Sequence, residues 1–173
     1  MISDSAPRAA TPAHHVRAED HPGVIARPPR IAYLFLGIGL TLGWLWPWPI
    51  LPVGSALAYR YGIGAGLFAL GVLILALGLR AFRKVGTNVE TWKPTTALAT
   101  EGVYARSRNP IYVALVLLFA AIAVLANSAW LGLLLVLYVA VLRVGVIARE
   151  ECYLERKFGE AYREYRARVR RWL

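Results

Sequence analysis

Residues 109 to 148 form a forty-residue block with a single charge, Arg143, and the block is bracketed by Arg108-Asn109-Pro110-Ile111-Tyr112 on one side and Arg149-Glu150-Glu151 on the other. One helical span takes about 20 apolar residues, so a block of this length predicts two spans, and Asn127-Ser128 near its middle supplies the turn between them. Both polar clusters then fall on the same face of a membrane. Residues about forty apart in sequence are expected to converge there on one ligand.

The rest of the chain agrees with that reading. Only 17% of its residues are charged and 58% are hydrophobic, against about 25% charged in an average soluble domain. Two more uncharged runs, residues 31–59 with Pro47, Pro49 and Pro52 inside them and residues 61–79, bring the expected number of spans to four. The expected fold is an all-α integral membrane protein of about four transmembrane helices, the last two a helical hairpin, followed by an amphipathic helical segment. Residues 1–30, rich in Pro, Ala, Arg and His without apolar periodicity, read as a disordered cytoplasmic tail with no signal-peptide core. Residues 31–173 read as one domain. The lone Cys152 excludes an intramolecular disulfide framework.

A net charge of +10 would suggest nucleic acid in a soluble protein. Here the distribution gives a topological reason instead. Nineteen of the twenty Lys and Arg fall before the first span, between residues 80 and 108, or from Arg143 onward. The positive-inside rule therefore places both termini and the central loop in the cytoplasm. That basic face suits anionic lipid head groups, and no nucleic-acid partner is expected. His14, His15 and His21 lack accompanying Cys or carboxylate ligands, so no metal site is expected.

Local signals place the remaining pieces. Trp44, Trp46 and Trp48 alternate with helix-terminating residues and mark the outer interface. Gly62, Gly64, Gly66, Gly71 and Gly78 are expected to let the second span approach a neighbour closely. Residues 80–108 read as one long polar loop, and Pro110 fits the first turn of the third span. Leu154, Phe158, Tyr162, Tyr165, Val169 and Trp172 recur at helical steps opposite a basic face, which predicts an interfacial helix over the cytoplasmic mouth, either kinked or split at Gly159.

Glu150-Glu151 sits near bilayer depth, where a carboxylate pair wants a cation. Positions 143, 147 and 150 share a helical face, so Arg143 either clamps an anionic group in the bundle or snorkels to the interface. The set Thr100-Glu101-Gly102-Val103-Tyr104, Arg108-Asn109-Pro110-Ile111-Tyr112, Glu150-Glu151 and Phe158-Gly159-Glu160-Ala161-Tyr162 with Tyr165 resembles the isoprenylcysteine carboxyl methyltransferase family and its prokaryotic relatives. Phospholipid N-methyltransferases look similar over the same region, roughly residues 80–173, the expected catalytic half.

The resemblance implies S-adenosylmethionine as cofactor, a lipophilic or prenylated acceptor, and a prokaryotic inner membrane. It places Thr96, Ala97, Leu98 and Ala99 on the cofactor pocket through backbone. Tyr104, Arg108, Asn109, Pro110, Ile111, Tyr112 and Glu151 join them in contacting the cofactor. Glu150, with Arg143 or Arg149, is implied at the reacting end. Two departures stand out: Asn109 replaces the family's His and acts by binding rather than proton transfer, and Val146 occupies the position of a substrate-holding Arg, which Arg143 or Arg149 would replace. A nicotinamide-dependent reductase shares this fold region, although the chain has no Gly-rich dinucleotide fingerprint. A non-catalytic membrane scaffold is the remaining alternative.

Overall fold

The computed structural model describes residues 22–52, 57–87 and 94–173. The three tail histidines and much of the loop after Gly86 lie outside the described residues. Every regular element among those described is helical. They run α1 Pro28–Leu45, α2 Leu57–Val85, a 3-10 turn Gly102–Ala105, α3 Pro110–Leu125, α4 Ala129–Val141, a π-helical segment Leu142–Ile147, α5 Ala148–Phe158 and α6 Glu160–Arg168.

Two helices are long and apolar enough to cross a membrane: α2, and the continuous run Ala129–Phe158 formed by α4, the π segment and α5, with mean hydropathies of 2.3 and 2.5. Only 17% of the apolar window of α2 is buried inside the fold. A surface that apolar needs an apolar environment, as a helix associated with a membrane has. α1 and α3, at 18 and 16 residues, are shorter than these two. The four apolar segments read from the sequence are thus all helical, and two of them meet the length and composition of a span.

Sequence decides where each helix stops. α1 begins at Pro28, three residues earlier than the sequence suggested, because proline is well suited to a first turn. It ends at Leu45, since Pro47 biases Trp46 away from helical dihedrals, and Trp46 adopts φ −132° and ψ 85°. Residues 80–85, expected in the polar loop, are instead the last turn of α2. That helix closes only at Gly86, whose φ of 65° permits the reversed cap in which Thr87 N–H donates to Phe82 O (3.2 Å) and Gly86 N–H to Arg83 O (3.3 Å). The turn read at Asn127-Ser128 separates α3 from α4. Ser128 caps α4 through Leu131 N–H, and the Asn127 side chain both donates to and accepts from the Leu51 backbone at 2.9 Å.

α3 lies between α2 and α4, and α1 covers α4. The α2–α3 seam is a glycine ladder. A Cβ on Gly64 would lie 2.5 Å from Leu125, on Gly71 2.9 Å from Leu118, and on Gly78 3.0 Å from Ile111. Both series step by seven in opposite directions along the chain, so two antiparallel helices keep one contact stripe over about two turns per step. Gly62 and Gly66 meet nothing within 4 Å, so the packing role expected of all five glycines belongs to three. We expect Gly71→Val to lower unfolding stability in detergent by about 1–3 kcal/mol through overpacking. Gly66→Ala should be neutral or raise stability by up to about 1 kcal/mol. Equal behaviour of the two variants would refute the ladder.

The two ends of the bundle differ chemically. At one, Trp48 packs edge-on to Trp130 with ring centroids 5.2 Å apart, and the Trp130 indole donates to Trp46 O at 2.9 Å. Between the ends, Tyr138 is fully buried and stacks on Phe119. Arg108, Glu150 and Glu151 gather at the other end.

Candidate functional site

A cavity of about 470 Å³ opens at that second end, bounded by the start of α1, α2, the loop before the 3-10 turn, the start of α3, α5 and α6. Its size falls within the roughly 300–1,000 Å³ of small-molecule sites. Its wall from residue 94 onward depends on Thr87, a buried side chain the sequence reading did not single out. The Thr87 hydroxyl oxygen accepts from Thr96 N–H (3.0 Å) and Ala97 N–H (3.3 Å), while Thr96 Oγ1 donates to Gly86 O (3.2 Å). Those bonds hold Ala97, Leu98 and Ala99 on the cavity wall. Thr96 itself fastens the loop and does not line the cavity.

The charged side of the cavity joins the two clusters that bracket the apolar block. Glu151 is 7% exposed and takes two guanidinium groups: Arg108 Nη2 lies 3.2 Å from Oε1, and Arg171 donates Nε to Oε1 (3.1 Å) and Nη2 to Oε2 (2.5 Å). The Arg108 side chain is only 9% exposed, and its Nε and Nη1 have no hydrogen-bond partner among the described residues. A buried donor without a partner costs roughly 1–3 kcal/mol, and more on a charged group. Two such donors beside the cavity call for a partner that the described residues do not supply, and an ordered water or an anion would be one. Beside them, Tyr112 donates to Glu150 Oε2 at 2.8 Å, across 38 residues of sequence. Convergence of the two clusters, expected from their spacing, is thus observed.

The C-terminal residues close this side. Arg108 N–H donates to Arg170 O (2.9 Å) and Asn109 Nδ2 to Arg171 O (2.8 Å), which ties the segment after α6 to the start of α3. Gly159, with φ 54°, breaks the amphipathic segment into α5 and α6. Tyr162 and Tyr165 on α6 face inward, and Tyr165 donates to Tyr104 O at 2.8 Å. The Tyr104 ring meets Phe82 edge-on at 5.3 Å. Burial raises the Tyr104 phenol far above its ordinary range, with the Glu150 charge adding to the effect. The Tyr162 phenol is pushed up to about 12, first by burial and then by Glu151, against an opposing effect of Arg108. Near neutral pH both rings are uncharged aromatic surface.

Among the residues singled out from the sequence, Ala97, Leu98, Ala99, Tyr104, Arg108 and Asn109 line the cavity, as do Ile111, Tyr112, Glu150 and Glu151. Pro110 does not; it starts α3. Arg143 and Arg149 are exposed and absent from the wall, and Arg149 donates to Gly23 O at 2.9 Å. The expectation that Arg143 shares a face with Glu150 assumed an uninterrupted 3.6-residue period. The π segment at Leu142–Ile147 adds a residue to the turn and shifts the phase by about 100°. Phe82, Tyr162, Tyr165 and the Arg171 clamp were not in the expected site. The tyrosines were visible as part of a stripe and of the motif set, without a site role, and nothing in the run Arg168-Val169-Arg170-Arg171 marks Arg171.

The family model described as phospholipid methyltransferase matches residues 59–161, more than half of the chain. An uncharacterized protein of Haemophilus influenzae is 48% identical over 65 residues, which is 36% of this chain and 100% of that protein. No solved structure matches the chain. The matched region carries the cavity wall from α2 through Glu151 and ends just before Tyr162.

Proposed function

This chain belongs to the phospholipid methyltransferase family, and from that premise we propose that it moves a methyl group from S-adenosylmethionine to a lipophilic amine at one face of a membrane. The observation that carries the cofactor part is Arg108, buried in the cavity wall with two donors that no described residue satisfies. A guanidinium with two such donors suits a carboxylate, which it can take bidentately. Tyr104, Tyr112 and Tyr162 offer aromatic surface for the cofactor's ammonium and sulfonium. The residues present therefore fit the cofactor.

When bound, S-adenosylmethionine supplies an electrophilic methyl group on sulfur. Leu75, Leu79, Leu115 and Leu118 line the apolar side of the cavity and hold a hydrocarbon acceptor while excluding water. Tyr112 occupies one oxygen of Glu150 and leaves the other to accept the proton that an attacking nitrogen must release. Asn109 fastens the C-terminal strap and takes no part in proton transfer. The basic end of the bundle faces the cytoplasm in this reading, with both termini on that side.

Carboxyl O-methylation, the reading closest to the isoprenylcysteine family, needs a guanidinium for the acceptor besides the one for the cofactor. Arg143 and Arg149 do not reach the cavity, so an amine acceptor accounts better for the charges present. Calorimetric titration of S-adenosylmethionine into the detergent-purified protein tests the first half of the proposal. Saturable binding is expected, weakened about 10- to 150-fold in Arg108→Met, with no binding of NADPH. Failure of folded wild-type protein to bind removes the proposal, and NADPH binding in its place brings the reductase forward. Labelled methyl transfer to membrane lipids then separates the acceptors, because base releases a methyl ester and leaves an N-methyl in place.

A further inference from the structure

A second depression of about 580 Å³ lies on the outer side of α2, between its last turns and the 3-10 turn. It shares Ala99 with the cavity and is otherwise separate from it. Leu77, Ala81, Val85 and Val103 form its floor, and Arg80, Lys84 and Arg106 stand at its rim. Three cations surround one anion there. Lys84 is paired with Glu101 at 2.7 Å in an exposed contact of little energetic weight. Among the described residues Arg80 and Arg106 make no ion pair.

The helix below the depression extends it. Leu70, Leu73, Leu77, Arg80 and Lys84 follow one another at steps of three or four, so they form one stripe of α2. That stripe faces away from Gly64, Gly71 and Gly78, whose side packs on α3. Leu70, Leu73 and Leu77 are exposed. From Leu70 to Lys84 the stripe spans about 21 Å, apolar for its lower half and cationic at its end. Because α2 is a candidate span, its basic end marks the level of the lipid phosphates.

We propose that this depression is a binding site for an anionic phospholipid, distinct from the methyl-transfer cavity, in which Arg80 and Arg106 hold the phosphate and the exposed leucines of α2 accompany an acyl chain. Charge complementarity at the rim and continuity with the apolar stripe together specify a lipid. A soluble phosphate compound would use the rim and leave the stripe uncovered. A zwitterionic lipid would use the stripe and gain less at the rim. The proposal does not depend on the methyltransferase reading, and its test needs no turnover.

The full chain, reconstituted in nanodiscs of mixed phosphatidylglycerol and phosphatidylcholine and released for native mass spectrometry, reports which lipid stays bound. Wild type should retain one phosphatidylglycerol in preference to phosphatidylcholine. Arg80→Gln with Arg106→Gln should reduce that preference about thirtyfold, as expected for two juxtamembrane cations. Ala81→Trp, which fills the floor, should displace the lipid without removing charge. Arg83→Gln with Arg156→Gln removes the same charge from exposed positions outside the depression and should leave the preference intact. Three results would overturn the site: no phosphatidylglycerol preference in wild type, an equal loss in the Arg83 and Arg156 control, or displacement of the lipid by inorganic phosphate.

Discussion

Glu150→Gln is expected to lower methyl transfer to an amine acceptor by about 10²- to 10⁴-fold, the usual contribution of a positioned general base. The substitution is nearly isosteric, and the Gln amide oxygen still accepts from Tyr112 in place of the 2.8 Å bond now made to Glu150 Oε2. Folding and cofactor affinity should therefore change by no more than a few-fold. The fall belongs in kcat, measured with saturating lipid and labelled S-adenosylmethionine. The same variant separates the two acceptor classes, because a carboxylate acceptor carries no proton to lose and needs no base. Wild-type turnover in Glu150→Gln, with the label in a base-labile ester, would reverse the amine reading. Absent turnover in wild type with intact cofactor binding would favour a scaffold.

Much of this arrangement was legible in the sequence because membrane helices obey a strict length rule. A forty-residue apolar block has few ways to fold across a bilayer, so the convergence of the two clusters followed from counting, whereas the pairing of Arg108 with Glu151 and of Tyr112 with Glu150 did not. Pro28, Pro47, Gly86, Asn127 and Gly159 mark helix ends or breaks for reasons local to the backbone. Phase was less accessible. A π segment at Leu142–Ile147 has no composition signature, so an argument valid for an α-helix put Arg143 on one face with Glu150, and of the two roles left open for it only the exposed one agrees with its position. Loop length also misled: Arg80, Arg83 and Lys84 are charged, yet they continue α2, since nothing before Gly86 stops the helix. Arg171 was hidden for another reason. In a tail with many arginines, the one that meets a buried carboxylate is chosen by three-dimensional closure, which periodicity does not report.

The Arg108–Glu151–Arg171 cluster carries the largest expected effect on stability, and its asymmetry makes the prediction specific. Glu151→Leu leaves Arg108, 9% exposed, as a buried cation with no counter-charge, and should cost about 3–5 kcal/mol of unfolding stability. Arg171, 32% exposed, can turn to water and adds little to that loss. Arg108→Met is milder, because Glu151 keeps both bonds to Arg171. Combining Arg108→Met with Glu151→Leu removes both buried charges and should recover most of the stability, so the double-mutant cycle yields a coupling of about 2 kcal/mol or more between residues in direct contact. Cofactor binding should behave differently. It is weakened to the same extent in the single and the double Arg108 variant, since its anion would have no guanidinium to meet. Denaturant unfolding in detergent, run beside calorimetric titration of the same four proteins, measures both quantities. If Glu151→Leu is no more destabilising than Arg108→Met, Arg108 does not depend on Glu151 for its charge balance. Recovery of stability without recovery of binding would instead identify Arg108 as a residue kept charged for a ligand, at the expense of the fold.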